Sequence, residues 1–499
     1  MIYSWRDSVY LCYDLQTIPR PEIGKILVTG ASGYIGGRLI PELLARGYQV
    51  RVMVRAESPD ILEKWPGIET VVADALDLQA IQKAFEGISV AYYLIHSLLL
   101  GPKEFEASEI QAAQNFRLAA DSQALKRIIY LGGLGESSHR LSPHLQSRIR
   151  VARELQKGRV PVTILRAAII IGAGSASYEI IQDLVKNLRI LPVPHWAKNR
   201  CQPIAIRDVI KYLVGVLEVD ETAGESFDIG GIDVVTYRQM LNILADLLNR
   251  KIFLVPFFYS DIRFYSYIAS LITPVPAAIT RALMEGLKNE VCCLDDHIHR
   301  YVPIDRLGYK EAIVFAMSRE EQDNIHTRWS NAYPPAHELS IKLGEIFDKP
   351  LYSAIYSLRT HKSAVSLFQS ISMIGGKEGW FANNWMWRLR GVMDRILMGV
   401  GTSRGRRSLV RLYVNDVIDF WRIEDLQQYR RLLLRAEMKL PGKAWLEFKI
   451  DDNGSTRELT VRPYFYTRSL AGKIYWTIFL PFHKIIFNDL IKQIEMRSI

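Results

Sequence analysis

The sequence predicts a doubly wound parallel α/β sheet followed by an α+β domain in which antiparallel strands are closed by a long helix. Three observations carry that prediction. Between Lys25 and Arg55 an apolar run enters a glycine loop, a helical pattern comes next, and a second apolar run ends the unit. From there to about residue 230 short apolar runs alternate with stretches of helical periodicity, the pattern of a parallel sheet covered on both faces. Beyond residue 430 the period changes to two around an Asn-Gly turn, the mark of antiparallel strands with one covered face.

The N-terminal 24 residues read as a leader, extended at its end by the two prolines of IPRPEIG. Ile26, Leu27 and Val28 then form the first strand, and Leu39, Ile40, Leu43 and Leu44 the apolar face of the first helix, which Pro41 should bend slightly. The loop between them holds Thr29, Gly30, Ser32, Gly33, Tyr34, Ile35 and Gly36. Phosphate chemistry needs glycine at such a loop because a Cβ would block close backbone approach, while the first helical turn offers N–H groups and a positive dipole end to a pyrophosphate. Strand, glycine loop, helix and strand together point to a dinucleotide.

The second strand, VRVMVR, bears on which dinucleotide. A carboxylate at its end would bind the adenosine ribose hydroxyls of NAD and repel a 2′-phosphate, whereas this strand ends in Arg55 with no acid before Glu57. NADP(H) is the preferred cofactor, with NAD(H) left open. ETVVADALD is the third strand, running into Asp74, Ala75 and Asp77, and SVAYYLIHSL the fourth, ending at His96 and Ser97. A helix over 104–124 leads to the fifth strand, RIIYLGGLG. Because ligands of such sheets sit beyond the carboxyl ends of the strands, Asp74, His96 and the Gly132-Gly133 turn should line one crevice.

Composition is globular, with 49% hydrophobic and 23% charged residues among 499, a length that suits two or three domains. The net charge of +10 is concentrated: residues 351–499 hold 24 Lys+Arg against 13 Asp+Glu. That bias fits an anionic ligand, an acidic membrane surface or a solvated basic face. Its aromatics fall at core-like positions, so nucleic acid is not expected. Four cysteines without CxxC spacing argue against a disulfide framework or zinc site, and no metal is expected. No signal peptide and no spanning apolar run of about 18 residues is evident, so the expected location is cytoplasmic. Peripheral membrane contact stays open through the aromatic stretch Phe253 to Ile279.

TGASGYIGG, ADALD, YYLIHS, RIIYLGGL, LRAAIIIGAGSAS and QPIAIRDV resemble an atypical extended short-chain dehydrogenase/reductase, in the branch of nitrogen-metabolite-repression-regulator-like and nucleoside-diphosphate-sugar-epimerase-like proteins. The resemblance covers about residues 25–325 and implies a Rossmann fold. It places Gly30, Gly33, Tyr34, Ile35 and Gly36 around the pyrophosphate, Arg55 near the 2′-phosphate and Asp74 near the adenine. Such enzymes carry a Tyr-x-x-x-Lys pair and a serine. Here no tyrosine is followed by lysine four residues on; His144 and Arg148 stand at the matching positions, and Gly132-Gly133 where a serine would follow the fifth strand. Histidine relays protons near neutral pH, whereas guanidinium does not. His144 and Arg148 are therefore the candidate catalytic residues, as proton donor and as holder of a ribose hydroxyl or oxyanion. Farther on, Ser177 reads as a helix N-cap and His195-Trp196 as part of a lid.

Residues 326–350 read as a linker. On its C-terminal side, Leu432, Leu434, Ala436, Met438 and Leu440 alternate with charged residues, as do Ala444, Leu446, Phe448 and Ile450, before a final helix that should break or bend near Pro481. That order is a helix-grip, START-like (SRPBCC-like) plan around an apolar cavity. GGKEGWFANNWMWRLRGVMDRILMGVGTSRGRR, VIDFWRIE and IYWTIFLPFHKIIF resemble a bacterial domain of unknown function found behind reductase-like domains. Trp380, Trp385, Trp387 and Arg388 are candidates for a cavity mouth, and Arg404, Arg406 and Arg407 for an anionic head group. The leading expectation is an NADP(H)-dependent oxidoreductase acting on a lipophilic molecule such as a quinone, isoprenoid or polyketide-like compound. The alternative is a non-catalytic NADP(H)-sensing regulator or assembly factor that engages a lipid, membrane or protein.

Overall fold

Seven parallel strands organise the first part of the chain: β1 (Lys25–Val28), β2 (Val50–Val54), β3 (Glu69–Val72), β4 (Ile88–Tyr93), β5 (Arg127–Gly133), β6 (Val162–Ala167) and β7 (Ser226–Ile229). Their order in the sheet is β3-β2-β1-β4-β5-β6-β7, so the chain reverses direction of winding between β1 and β4. The computed structural model describes residues 10–55, 61, 65–95, 102–123, 125–135, 142–259, 261–321, 327–332, 343–346, 351–376, 378–401 and 412–498. His96, Arg404, Arg406 and Arg407 lie outside the described residues.

Both faces of this sheet are covered, and the strands show why. On β4, Val90 and Tyr92 join a core with Leu39, Ile40 and Leu43 of helix α1 (Gly36–Ala45), whereas Ala91 and Tyr93 point into a second core. That second core is built on α2 (Leu78–Ala84), α3 (Pro102–Ser122) and α4 (Pro143–Gln156). Strands apolar on alternate sides can be buried only between two helical layers. The doubly wound α/β expectation is met. Helix α1 continues through Pro41, and the leader contributes Leu11, Cys12 and Leu15 to the first core, with Leu11 and Cys12 N–H groups donating to the Glu42 carboxylate at 2.7 and 3.0 Å.

Helix α5 (Ala176–Asn187) is capped by Ser175, whose hydroxyl accepts the Tyr178 N–H at 3.2 Å. The expected cap, Ser177, is already helical. Helix α6 (Ile206–Glu218) comes directly after the short strand Ile204–Ala205 and packs onto the sheet on the α1 side. His195 and Trp196 belong to a single helical turn. Trp196 is buried, 5.6 Å from the Tyr265 ring, so it is packed and does not form a lid. In the aromatic stretch, Phe253 and Phe258 are exposed.

The chain forms two compact units, Met1–Ile272 with Ala278–Pro335 and Thr273–Ala277 with Ala336–Ile499. The second unit holds a seven-stranded antiparallel sheet: β8 (Leu351–Ser353), β9 (Tyr356–Thr360), β10 (Val417–Ile418), β11 (Trp421–Gln427), β12 (Arg431–Ala436), β13 (Lys443–Asp452) and β14 (Arg457–Tyr466). β10 to β14 form a meander, and β8 and β9 both pair with β14. The Asn453-Gly454 turn joins β13 to β14, with Gly454 at φ +84°.

One face is filled as the alternation requires, with Leu432, Leu434, Leu446, Phe448 and Ile450 buried. The expectation of a single covered face needs correction. Leu433, Trp445 and Tyr464 form a cluster on the other side with Leu343 and Ile346, residues that lie far from these strands in sequence. Helix α13 (Leu470–Arg497) runs unbroken through Pro481. Proline there leaves the Thr477 carbonyl without an intrahelical donor; both residues are exposed, so water satisfies it and no break results. The candidate cavity-mouth residues separate: Trp380 and Trp387 stack in the core at 4.3 Å, with Trp380 Nε1 donating to Asp419 at 2.8 Å, while Trp385 and Arg388 are exposed. No helix among the described residues is long and apolar enough to cross a membrane.

Candidate functional site

At the winding reversal, Thr29 closes β1. Its hydroxyl donates to the Tyr92 carbonyl at 2.8 Å and accepts the Leu94 N–H at 3.1 Å, so a fully buried side chain fastens β1 to β4 where the crevice opens. Gly30 comes next at φ +64°, where a Cβ would lie 2.7 Å from the Leu94 carbonyl oxygen. On Gly36 a Cβ would meet the Gly30 carbonyl oxygen at 2.4 Å. Neither position admits a side chain. Between them Ser32 is exposed, and Gly33, Tyr34 and Ile35 are half-buried. Ile35 caps α1 without a side-chain acceptor; the Gly37 and Arg38 N–H groups donate back to the Gly33 and Ile35 carbonyls at 3.1 and 3.0 Å, so the helix offers a ligand chiefly its positive dipole end.

Arg38, on the first turn of α1, was not legible as a site residue. It is buried, and its guanidinium donates to the Thr327 carbonyl and the Ala173 carbonyl, each at 2.8 Å, as well as to the Thr327 hydroxyl. Its plane lies over the Tyr34 ring at 4.1 Å, and burial holds its pKa below the usual value. Thr327 therefore begins a packed strap, in a stretch expected to be linker. Trp329 continues the strap, its N–H donating to the Gly174 carbonyl at 2.8 Å and its indole N–H to Glu179.

Arg55 directly follows β2 and is exposed to solvent, and Asp74 is close enough to act on its charge. The Asp74 carboxylate accepts the Leu76 N–H at 3.0 Å. Ala75 is buried, and its carbonyl accepts the Asn115 amide at 3.1 Å; Asn115, on α3, is a second residue that sequence reasoning passed over.

The β5–α4 end is built differently. Ser142 caps α4 by accepting the Leu145 N–H at 3.3 Å, which sets His144, half-buried, on the first turn. One turn later the Arg148 guanidinium donates to the Leu131 carbonyl and lies over the Tyr130 ring at 4.9 Å. The Tyr130 hydroxyl donates to the Arg148 carbonyl at 3.1 Å, and burial pushes its pKa up to about 12. A Cβ on Gly133 would lie 3.0 Å from Leu145 Cδ2 and 3.8 Å from Arg148 Cγ, so the places of the absent serine and the absent lysine adjoin. Beside them is a cavity of about 560 Å³, whose lining includes Gly132, Gly133, Arg148, Arg153 and Arg166. Arg166 pairs with buried Asp228 at 2.6 Å. His144 is not among the described lining residues.

Residues 30–188 match the family described as NAD(P)H-binding, and residues 346–490 match the protein of unknown function DUF2867. Subunit 9 of the mitochondrial NADH dehydrogenase [ubiquinone] 1 alpha subcomplex from Arabidopsis thaliana is 26% identical over 240 residues, 46% of this chain and 60% of that protein. The photosystem II assembly factor Ycf39 of Trieres chinensis is 22% identical over 241 residues, 47% of this chain and 73% of that protein. Less than two thirds of the plant subunit's length is thus spanned. Among solved structures, a nucleoside-diphosphate-sugar epimerase from Staphylococcus aureus aligns at 15% identity and a TM-score of 0.49, covering 58% of this chain and 99% of that one. Residues 30–188 of the first unit thus match an NAD(P)H-binding family and contribute to a parallel sheet of the Rossmann type, and the second unit carries the domain of unknown function.

Proposed function

We propose that the first unit holds NADP(H) as a bound, sensed ligand in an assembly or regulatory role, without turning it over. The β5–α4 end of the crevice carries this reading. Glycine occupies the serine position, and the Arg148 guanidinium is anchored through Nη2 to a backbone carbonyl and by its plane to an aromatic face, although its buried Nη1 has no hydrogen-bond partner among the described residues. Among the cavity's described lining residues, none releases a proton near neutral pH: Tyr130 is pushed up to about 12, and guanidinium stays protonated. A relative that is a subunit of an NADH dehydrogenase and another that is an assembly factor support the same role. The exposed Arg55 favours the phosphate form of the cofactor, with NAD(H) bound more weakly. For the second unit we assign a helix-grip, START-like ligand domain for a lipophilic molecule of the quinone, isoprenoid or polyketide-like class, a reading supported by the five-strand meander closed by α13.

His144, on the turn preceding Arg148, keeps one second reading open: an oxidoreductase in which that histidine is the proton donor. NADPH fluorescence titration followed by oxidation with a quinone panel separates the two. Saturable binding without oxidation is expected. Turnover abolished in His144→Ala would favour the oxidoreductase, and no binding of either dinucleotide at high micromolar concentration would sink both.

A further inference from the structure

In the second unit, helix α12 (Asn384–Ile396) is fixed by one face. Trp387, Gly391 and Asp394 point inward. Trp387 stacks on Trp380, and the fully buried Asp394 carboxylate accepts the Lys439 N–H at 2.6 Å and the Gly401 N–H at 2.8 Å. With the helix held this way, Trp385, Leu389, Val392 and Ile396 fall on the outward face at i, i+4, i+7 and i+11, joined by Met393 and Leu397. Each is between 46% and 59% exposed. A surface helix ordinarily turns such a stripe to the core; here the core side is already occupied by a different one.

We infer that this face of α12 docks onto the surface of an anionic lipid bilayer. The occupant is chosen by charge and by the order of side chains around the helix. Arg388 is exposed on one margin of the apolar face, with half-buried Arg395 two turns on; on the other margin Arg390 donates to the Lys439 carbonyl at 2.7 Å and pairs with the helix's single acid, the buried Asp394, at 3.8 Å, so no carboxylate of the helix is left to repel an anionic surface. Residues 351–499 carry 24 Lys+Arg against 13 Asp+Glu. Apolar residues outward, a tryptophan among them, with the exposed Arg388 at the margin and a basic excess in the surrounding domain, form an arrangement that lets a helix sink its apolar face to the acyl boundary while a guanidinium group meets phosphate. Its 13 residues span ~20 Å, the length of an element that lies flat. This docking is independent of the cofactor reading and adds a site for the whole chain.

The experiment is co-sedimentation of the full chain with phosphatidylcholine vesicles, with and without phosphatidylserine. Binding that requires phosphatidylserine and weakens with salt is expected. Leu389→Glu with Ile396→Glu should weaken it by about ten-fold or more, and Arg388→Glu should weaken binding to anionic vesicles by about three-fold or more. Leu389, Ile396 and Arg388 are already exposed, so NADPH affinity and melting temperature report that the variants fold. Three results overturn the inference: no sedimentation of wild type with anionic vesicles, undiminished binding by the Leu389/Ile396 variant, or loss of binding in Phe258→Ser instead. A dimer that the Leu389/Ile396 variant converts to monomer, without vesicle binding by either, overturns it in favour of a second copy as the occupant.

Discussion

At the β1–α1 end of the crevice, side chains are absent so that backbone can approach a ligand; at the β5–α4 end, a cavity is walled by side chains that bond mainly to the protein itself. Gly30 and Gly36 leave no room for a Cβ, and Ile35 leaves the first turn of α1 uncapped. By contrast Arg148 gives Nη2 to Leu131 and its plane to Tyr130, with Nη1 buried and without a hydrogen-bond partner among the described residues, and the Tyr130 hydroxyl turns back to Arg148. The difference teaches that binding a dinucleotide and reacting with it are separate structural requirements. One strand end and one helix start meet the first, whereas the second needs proton-active groups aimed at a common point.

The largest expected effect is at the open end. Gly36→Val places a side chain 2.4 Å from the Gly30 carbonyl oxygen, where backbone must shift to accept it. NADPH titration should show no saturable binding, while the far-ultraviolet dichroism of the sheet and helices persists. Binding at wild-type affinity would mean that the loop is not the pyrophosphate cradle and would dissolve the contrast between the two ends.

Arg38→Leu comes next. It strips donors from the Ala173 and Thr327 carbonyls in a dry site, at about 1–3 kcal/mol per unsatisfied group, partly offset by no longer burying a charge. A net loss near 2 kcal/mol in urea denaturation and faster proteolysis after Thr327 are expected. Arg38→Lys should not rescue either, because one ammonium cannot span two carbonyls served by a planar fork. Rescue by lysine would show that charge alone, not the fork, holds the strap.

Arg55→Asp tests the adenosine side and should lower NADPH affinity by about ten-fold while changing NADH little, since repulsion acts on the 2′-phosphate alone. Equal losses for both dinucleotides would remove the 2′-phosphate assignment.

The open end was legible in the sequence, and the closed end only by its departures. Glycine spacing, strand and helix periods are local, so residues 25–55 revealed their loop, and Leu446, Phe448 and Ile450 their covered face. Arg38 was not legible because its partners are 135 and 289 residues away; nothing in GGRLIPELL says that an arginine will turn inward. The same holds for Leu433 and Trp445, whose cover comes from Leu343 and Ile346. Ser175 and Ser177 are equally good caps by residue type, and only the backbone placed the first turn at Ala176. Pro481 looked like a helix break, but a proline whose freed carbonyl faces water need not end a helix that packing holds on its other side.

The smallest effects are expected where sequence reasoning placed catalysis, and that smallness is the test. Arg148→Leu removes a donor from the Leu131 carbonyl and a cation from the Tyr130 ring, each worth about 1 kcal/mol, so stability should fall by about 1–2 kcal/mol. NADPH affinity should change by less than about three-fold, which corresponds to well under 1 kcal/mol. A residue that held the nicotinamide ribose would give the reverse pattern, a large loss of affinity with stability untouched. His144→Ala, read beside it, should leave both quantities close to wild type, because its side chain lines no described wall of the cavity. If Arg148→Leu costs affinity and His144→Ala costs single-turnover oxidation of bound NADPH, the β5–α4 end is a reaction centre built from unusual parts. If neither does, Arg148 is a bracket between β5 and α4, and the crevice is a place where a dinucleotide is held.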